Sequence, residues 1–209
     1  MRRHISLLLG AVILLASASS QAQDAKKDKQ DDKKAAAGPD YYPLQVGNAW
    51  HYRRTTNGKV DTIVTRISKM ETINNQLLAR LELPGVAGNE HLIQNEKGIF
   101  RVRYNGSDVS PPLCLLAYPA KLGAAWSGEF TVDKEQAKYT GGIEKEETIE
   151  VPADKFNTIR VFINLEHRGN KLRTTYWFAK DIGFVKQTLE SPGRSQVLEL
   201  EKIERKQLP

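Results

Sequence analysis

Apolar and polar residues alternate along much of the chain. In residues 158–166, one face of an extended segment would carry Ile159, Val161, Ile163 and Leu165. A similar period of two occurs in residues 77–83, 99–104 and 126–132. Successive side chains of a β-strand point to opposite sides of the sheet, so this period predicts strands with one face better buried than the other.

Residues 99–104 show what the pattern predicts for individual positions. Phe100, Val102 and Tyr104 would share the buried face, and Ile99, Arg101 and Arg103 would share the opposite one. The helical period is matched poorly, and the best candidate helix, residues 133–138, is short and polar.

Four dipeptides next to strand-like segments predict hairpin turns, and three of them lie between two such segments. They are Asn57-Gly58, Asn105-Gly106, Gly169-Asn170 and Pro192-Gly193. Asn-Gly and Gly-Asn tolerate the positive φ of two-residue hairpins, and Pro-Gly suits a type II turn. The chain is therefore predicted to be all-β: a long antiparallel meander of about ten to twelve strands with almost no helix. A meander of that length must curl into a barrel or half-barrel, or divide into two sheets, to protect its edges.

The first residues have the order of a secretory signal peptide. Arg2 and Arg3 precede the apolar run 5–15, and small residues follow as far as Ala22. The run is shorter than the roughly 20 residues of a membrane-spanning helix. Residues 1–22 are therefore predicted to be removed, giving a periplasmic or secreted protein. No cysteine lies near the cleavage site, so we expect no lipid anchor there.

Residues 23–39 are mostly charged or small and have no large apolar side chain. Such a segment cannot offset its ordering entropy by burial, so we predict a disordered charged spacer. Residues 40–209 are long enough for one domain with its own core. The formal net charge of +6 is spread along the chain without a basic block, and no nucleic-acid partner is expected.

Motifs that would indicate catalysis are missing from the sequence. There is no Gly-x-Ser-x-Gly elbow, no P-loop and no His-Glu-x-x-His. The single cysteine, Cys114, has apolar neighbours and is interpreted as a small buried side chain. We therefore predict a protein that is not an enzyme and has neither a metal site nor a cofactor.

Three stretches resemble exported bacterial proteins of the DUF3108 type. These stretches are Tyr-Pro-Leu-x-x-Gly-x-x-Trp-x-Tyr from Tyr42 to Tyr52, Val-Pro-Ala-x-x-Phe from Val151 to Phe156, and Tyr-Trp-Phe-Ala-x-x-Ile-Gly-x-Val-Lys from Tyr176 to Lys186. Asp154 stands where that pattern usually has glycine. The resemblance implies a curved antiparallel sheet and no catalytic set. In the last stretch, Trp177 is predicted to lie in the core against the strand that carries Phe184.

The aromatic residues supply a candidate site. The speculative ligand-binding residues are Trp50, Tyr52, Trp126, Tyr176 and Trp177. Aromatic residues are also ordinary core residues of strands, so a core role stays open for each of them. The favoured function is a non-catalytic envelope protein that binds an apolar or amphipathic ligand, such as a lipid, in a curved sheet. An interaction module that docks another envelope protein is the alternative, and an enzyme without recognisable motifs is a third.

Overall fold

The computed structural model describes residues 40–83 and 88–206, and in these residues the chain forms twelve β-strands and no helix. The strands are β1 (Ala49–Thr56), β2 (Lys59–Ile73), β3 (Gln76–Leu83), β4 (Gly88–Asn95), β5 (Gly98–Tyr104), β6 (Ser107–Ala117), β7 (Ala125–Val132), β8 (Glu135–Val151), β9 (Asp154–His167), β10 (Asn170–Ala179), β11 (Gly183–Ser191) and β12 (Arg194–Glu204). The predicted all-β class is confirmed. The predicted signal peptide and charged spacer lie outside the described residues.

The strands close into a barrel in which each strand pairs with its neighbours in sequence. β1 pairs with β2 on one side and with β12 on the other, from Ala49 opposite Glu204 to Thr56 opposite Gln196. Of the arrangements expected for a long meander, the chain thus adopts the closed barrel, which leaves no free edge strand. The weakest pairing is between β6 and β7, where Ser110 opposite Thr131 is the one registered pair among the described strands.

Two-residue turns with positive φ connect the paired strands in several hairpins. Asn57 and Gly58 have φ of 47° and 82°, and Asn105 and Gly106 have φ of 50° and 86°, as the sequence predicts for these turns. Gly193 has φ of 74° in the predicted Pro-Gly turn.

One local prediction is wrong. The turn between β9 and β10 is formed by Arg168 and Gly169, one residue earlier than predicted, and Asn170 already belongs to β10. Residues 133–138, the poor helix candidate, form the β7–β8 turn and the start of β8, in line with the expected near-absence of helix. Asp133 and Lys134 both have positive φ there, and the following residues extend the barrel wall. Pairing along β7 outweighs the weak helical propensity of this short polar stretch.

Because the barrel is an up-and-down meander, its turns separate into two groups. The turns at 57–58, 105–106, 133–134, 168–169 and 192–193 lie at one end, which we call the mouth. The opposite end, the floor, receives residues 40–48 before β1 and the β10–β11 turn. The backbone N–H of Asp181 in that turn donates to the carbonyl oxygen of Asp40 at 2.5 Å.

Aromatic rings fill the floor end of the barrel. This aromatic floor consists of Tyr42, Trp50, Tyr52, Phe178 and Phe184, each at most 7% exposed. The ring of Tyr42 lies 5.1 Å from that of Trp50, and Tyr52 stacks on Phe184 at 5.0 Å. The indole N–H of Trp50 donates to the carbonyl oxygen of Ile182, and the hydroxyl of Tyr52 donates to the carbonyl oxygen of Phe184. Hydrogen-bonded and closely packed rings make this end a rigid base.

Candidate functional site in the barrel lumen

The barrel encloses a cavity of about 590 Å³. All twelve strands contribute at least one lining residue, and most of these side chains are Leu, Val, Ile, Phe or Tyr. The volume lies within the roughly 300–1,000 Å³ of small-molecule sites, which are also mainly apolar with a few placed polar groups. The lumen is therefore the candidate site.

The lining changes character along the barrel. Towards the mouth, the strand ends of β3, β7, β9, β10 and β11 place an apolar band that consists of Leu83, Val132, Leu165, Leu172 and Leu189. At the floor the lining consists of Tyr42, Phe178 and Phe184 from the aromatic floor. An elongated apolar molecule would find hydrophobic contacts over most of this length.

A charged pair lies inside this apolar wall. The guanidinium of Arg101 donates to Glu90 with Nη2 and Oε1 2.7 Å apart, and Glu90 is 8% exposed. Burial, the largest influence, lowers the pKa of Arg101, but Glu90 and the nearby Tyr176 raise it more, so that pKa lies above its ordinary value. Arg101 also lies over the ring of Tyr104 at 5.5 Å. The two side chains therefore form an ion pair in a largely apolar chamber.

Two tyrosines lie in the electrostatic field of this pair. Burial raises the pKa of Tyr176, while Arg101 lowers it and Glu90 raises it. Burial also raises the pKa of Tyr42 well above its usual value, and Glu90 and Tyr176 raise it further. Both phenols therefore stay neutral hydrogen-bonding groups. We call Tyr42, Glu90, Arg101 and Tyr176 the lumenal polar cluster.

Four polar atoms that belong to lumen-lining residues have no hydrogen-bond partner among the described residues. They are the hydroxyl oxygens of Tyr42 and Thr65, the Nε of Arg101 and the Nε2 of His167. A buried polar group without a partner costs about 1–3 kcal/mol. These atoms have almost no accessible surface, so they belong to the packed wall and are not open to a molecule in the lumen.

The mouth carries charged residues that mostly pair with each other. Glu135 and His167 line the lumen there, and Arg168 donates from Nε to Glu135 at 2.8 Å. The hydrogen bond from Arg168 is the main reason that the pKa of Glu135 is lowered. Arg54 pairs with Asp61 on the neighbouring strand. A polar rim around an apolar channel keeps the opening wetted.

The structure distributes the five residues predicted to bind ligand over four environments. Tyr176 lines the lumen, and its ring lies 5.5 Å from that of Phe184. Trp50 and Tyr52 are fully buried in the aromatic floor, beneath the cavity lining. Trp126 lies beside β6, and Trp177 lies on the outer wall. Of the five residues, Tyr176 lines the lumen directly. Trp50 and Tyr52 contribute only indirectly, because they lie beneath Tyr42 and Phe184 and support them.

Trp177 does not have the core position predicted for it. Tyr176 and Phe178 on either side point into the barrel, and Trp177 is half-buried on the outer wall. Its indole N–H donates to Glu147 at 3.0 Å, and the ammonium of Lys186 lies 5.7 Å from the ring centroid. The alternation of strand side chains sends adjacent aromatic residues to opposite faces, so only two of the three can be inside.

Trp126 helps to close the gap between β6 and β7. Its indole N–H donates to the carbonyl oxygen of Cys114 at 3.2 Å, and the Cys114 N–H donates to the hydroxyl of Tyr139 at 3.4 Å. Both rings lie on glycines of the opposite strand: a Cβ on Gly141 would lie 2.5 Å from Trp126, and one on Gly128 would lie 2.8 Å from Tyr139. Side chains here replace missing strand pairing. Burial raises the pKa of the Cys114 thiol to about 12, as expected for a buried structural cysteine.

The polar residues of the lumen were missed by the sequence analysis. The alternation in residues 99–104 placed Arg101 on the polar face, but a register irregularity between Arg101 and Arg103 lets both Arg101 and Tyr104 line the cavity. Bulges of this kind carry no clear sequence signal, because the residues themselves are ordinary strand residues. Among the described residues, no group of three or more His, Cys, Asp or Glu side chains is placed to hold a metal. No helix in the part of the chain that the structure describes could cross a membrane.

Comparisons with known proteins give structural likenesses only. No family model matches the chain, and no curated protein matches it. A candidate lipoprotein of Parabacteroides distasonis is 13% identical, with a TM-score of 0.44, over 80% of this chain and 100% of that one. A candidate exported protein with a YmcC-like fold from Bacteroides fragilis is 16% identical, with a TM-score of 0.46, over 78% and 98%. The hypothetical lipoprotein YmcC of Escherichia coli is 13% identical, with a TM-score of 0.40, over 78% and 88%. The function is therefore argued from the barrel itself, and the DUF3108 resemblance stays a prediction.

Proposed function

We propose that the chain is an exported envelope protein that acts without catalysis, by holding an apolar or amphipathic ligand inside its barrel. The observation that carries this proposal is the largely apolar lumen of about 590 Å³, to which all twelve strands contribute. The predicted signal peptide in residues 1–22 supports a location outside the cytoplasm. A soluble carrier or sensor of lipids in the envelope would need such a shielded chamber.

The physical basis of the proposal is the transfer of an acyl chain out of water. Each buried methylene group contributes about 0.8 kcal/mol. The aromatic floor is rigid and closes one end of the chamber, so a bound chain has to enter from the mouth. A lumen that is already formed lowers the ordering cost of binding.

Filling the lumen tests the proposal. Ala137 is 5% exposed and lines the cavity opposite Phe130, whereas the neighbouring Lys138 points outwards and its side chain is 70% exposed. Ala137→Phe places a ring in the binding volume, and Lys138→Phe is the matched control with the same ring outside. We expect Ala137→Phe to weaken the binding of a fluorescent C12 fatty-acid probe at least ten-fold, and Lys138→Phe to leave it unchanged.

The protein isolated gently from its own host provides a second measurement. Native mass spectrometry should find an added mass of a lipid or similar amphiphile, and that ligand should raise the melting temperature by mass action on the folded state. A clean apo mass, with no thermal stabilisation by any member of a lipid panel and equal probe binding by both phenylalanine variants, contradicts the proposal.

The second candidate function is an interaction module for another envelope protein. The β6–β7 junction favours it, because the two strands meet there through one registered pair among the described strands. A strand from a partner could add to this junction by backbone hydrogen bonds. In that case the lumen would be empty in the native protein, and amide exchange in β6 would slow only in the presence of the partner.

A further inference from the structure

We infer that the ligand is an amphiphile with an anionic head, which binds tail first and leaves its carboxylate or phosphate group at one side of the mouth, beside Arg194. This inference rests on the proposed function and names the chemistry that the same lumen would take. It is carried by the uneven distribution of charge around the mouth and by the apolar wall directly below it.

The direction of binding follows from the polarity of the lumen along its axis. The lining residues at the mouth include the charged side chains of Asp133, Glu135 and Arg194, each in or next to a mouth turn. The apolar band lies below them, and the aromatic floor closes the other end. A charged head at the mouth keeps its contact with water, and an acyl chain below it contacts leucine and aromatic side chains. Tail-first binding therefore places each part of the molecule against a surface of its own polarity.

Positive charge is concentrated on the side of the mouth that β2, β1 and β12 form. Arg54 of β1 and Arg194 of β12 line the cavity there. Thr56 of β1 stands opposite both Lys59 of β2 and Gln196 of β12, and Gln196 lines the cavity. Residues that stand opposite each other in a sheet share a face, so Lys59 lies on the inner side as well. We call Arg54, Lys59, Arg194 and Gln196 the cationic sector.

The protein neutralises only one of the three cations in this sector. Arg54 donates from Nε to Asp61 at 2.8 Å, so its charge is compensated. Among the residues that the structure describes, Lys59 and Arg194 form no salt bridge, and Arg194 donates to the amide oxygen of Gln196 at 3.3 Å. The amide NH₂ group of Gln196 can donate to the oxygens of a bound head. The cationic sector thus combines uncompensated positive charge with hydrogen-bond donors, which suits a carboxylate or a phosphate.

The opposite side of the mouth has no comparable excess of charge. Asp133 and Glu135 lie at the β7–β8 turn, and β9, β10 and β11 separate β8 from β12. Arg168 donates from Nε to Glu135 at 2.8 Å, and Lys134 follows Asp133 in the same turn. Positive and negative charges therefore balance on this side, whereas the cationic sector has three cations and one carboxylate. An anionic head is attracted to the cationic sector, and a cationic head is repelled by it.

Four probes with the same C12 chain test the charge of the head by calorimetry: laurate, dodecyl phosphate, dodecanol and dodecyltrimethylammonium. We expect the tighter anionic probe, which identifies the head group, to bind about ten-fold more tightly than dodecanol at low salt, and the ammonium probe to bind most weakly. This advantage should shrink as the salt concentration rises, because the screening length falls from about 30 Å at 0.01 M to about 3 Å at 1 M. Dodecanol binding as tightly as both anionic probes, or tightest binding of the ammonium probe, overturns the inference and leaves the proposed function intact. Failure of all four to bind overturns both.

The variant Arg194→Gln tests the position of the head. Arg194 is exposed and forms no salt bridge among the described residues, so the melting temperature of the apo protein should not fall. Laurate binding should weaken about three- to ten-fold, because a charge-assisted hydrogen bond is lost at a site that water reaches. Dodecanol binding should be unchanged. Arg194→Glu should weaken laurate binding further and strengthen the binding of dodecyltrimethylammonium.

The matched control is Lys134→Gln, which removes one positive charge from a mouth turn on the opposite side of the barrel. It should leave the affinity for laurate within about a factor of two of the parent, because the charge is screened over that distance. Equal weakening of laurate binding by Arg194→Gln and Lys134→Gln would show that only the net charge of the protein matters. That result would overturn the assignment of the head to the cationic sector.

Brominated probes test the direction of binding, because bromine quenches the fluorescence of a nearby tryptophan. Trp50 lies in the aromatic floor, and it is the tryptophan that remains when Trp126→Phe and Trp177→Phe are combined. We expect 12-bromododecanoate, with bromine at the end of its tail, to quench Trp50 more strongly than 2-bromododecanoate, with bromine beside its head. The reverse order would place the head at the floor and contradict the inferred direction.

Discussion

Removing one member of the buried ion pair should destabilise the barrel far more than removing both. Glu90 is 8% exposed, and its partner Arg101 lies 2.7 Å away with a side-chain exposure of 21%. Arg101→Met keeps the length of the apolar stem and removes the guanidinium. Glu90 is then left as a carboxylate without its charged partner in a largely apolar chamber.

The expected cost can be estimated from the structure. Breaking a buried ion pair by removing one partner costs about 3–5 kcal/mol. The pair borders a cavity, and Arg101 keeps some exposure, so the lower end of about 3 kcal/mol applies. For a domain of this size, this corresponds to a fall in melting temperature of roughly 6–12 °C. The double variant Glu90→Gln with Arg101→Met removes both charges, and its stability should lie within about 1 kcal/mol of the parent.

Urea unfolding followed by tryptophan fluorescence measures these differences, with the three tryptophans of the chain as reporters. A double-mutant cycle with Glu90→Gln as the fourth protein isolates the coupling between the two side chains. An unfolding midpoint of Arg101→Met within error of the parent would show that the pair contributes nothing to the fold. A double variant as unstable as Arg101→Met would show that the packing of the guanidinium, and not its charge, matters.

Two further predictions concern the floor and the outer wall. Gly183→Ala should lower the free energy of unfolding by about 1–3 kcal/mol or more, because Gly183 has φ of 110° and an added Cβ would lie 3.0 Å from a ring of the aromatic floor. Gly58→Ala is the control, because Gly58 also has positive φ but has open space around it. In urea unfolding, Gly58→Ala should cost less than Gly183→Ala. Hydrogen bonds from Lys69 and then His91 lower the pKa of Glu71 from 4.5 to about 2, so the stabilisation it provides is present above pH 4.5 and is lost as the pH falls towards 2. Glu71→Gln should remove that part of the pH dependence of the urea midpoint, and an unchanged acid slope would contradict the assignment.

The barrel wall was predictable because its signals are local. Asn-Gly dipeptides form the turns at residues 57–58 and 105–106, and the alternation in residues 158–166 places Ile159, Val161 and Ile163 on the buried face. Closure of the barrel was not predictable, because it depends on pairing between β1 and β12, which are far apart in the sequence. A half-barrel made from the same strands would show the same alternation.

The site was harder to predict than the wall because it depends on exceptions to alternation. An arginine between two apolar strand residues normally faces solvent, so the pattern placed Arg101 outside. A local irregularity in β5 turns it inwards, where Glu90 of the adjacent strand compensates its charge. The prediction for Trp177 was wrong in the opposite direction. Trp177 is large enough to be expected in the core, but it lies on the outer wall because its neighbours Tyr176 and Phe178 occupy the inner face. Chemistry inside this barrel therefore lies where the strand period is interrupted, and a search for paired opposite charges on neighbouring strands would have located the lumenal cluster better than a search for aromatic residues.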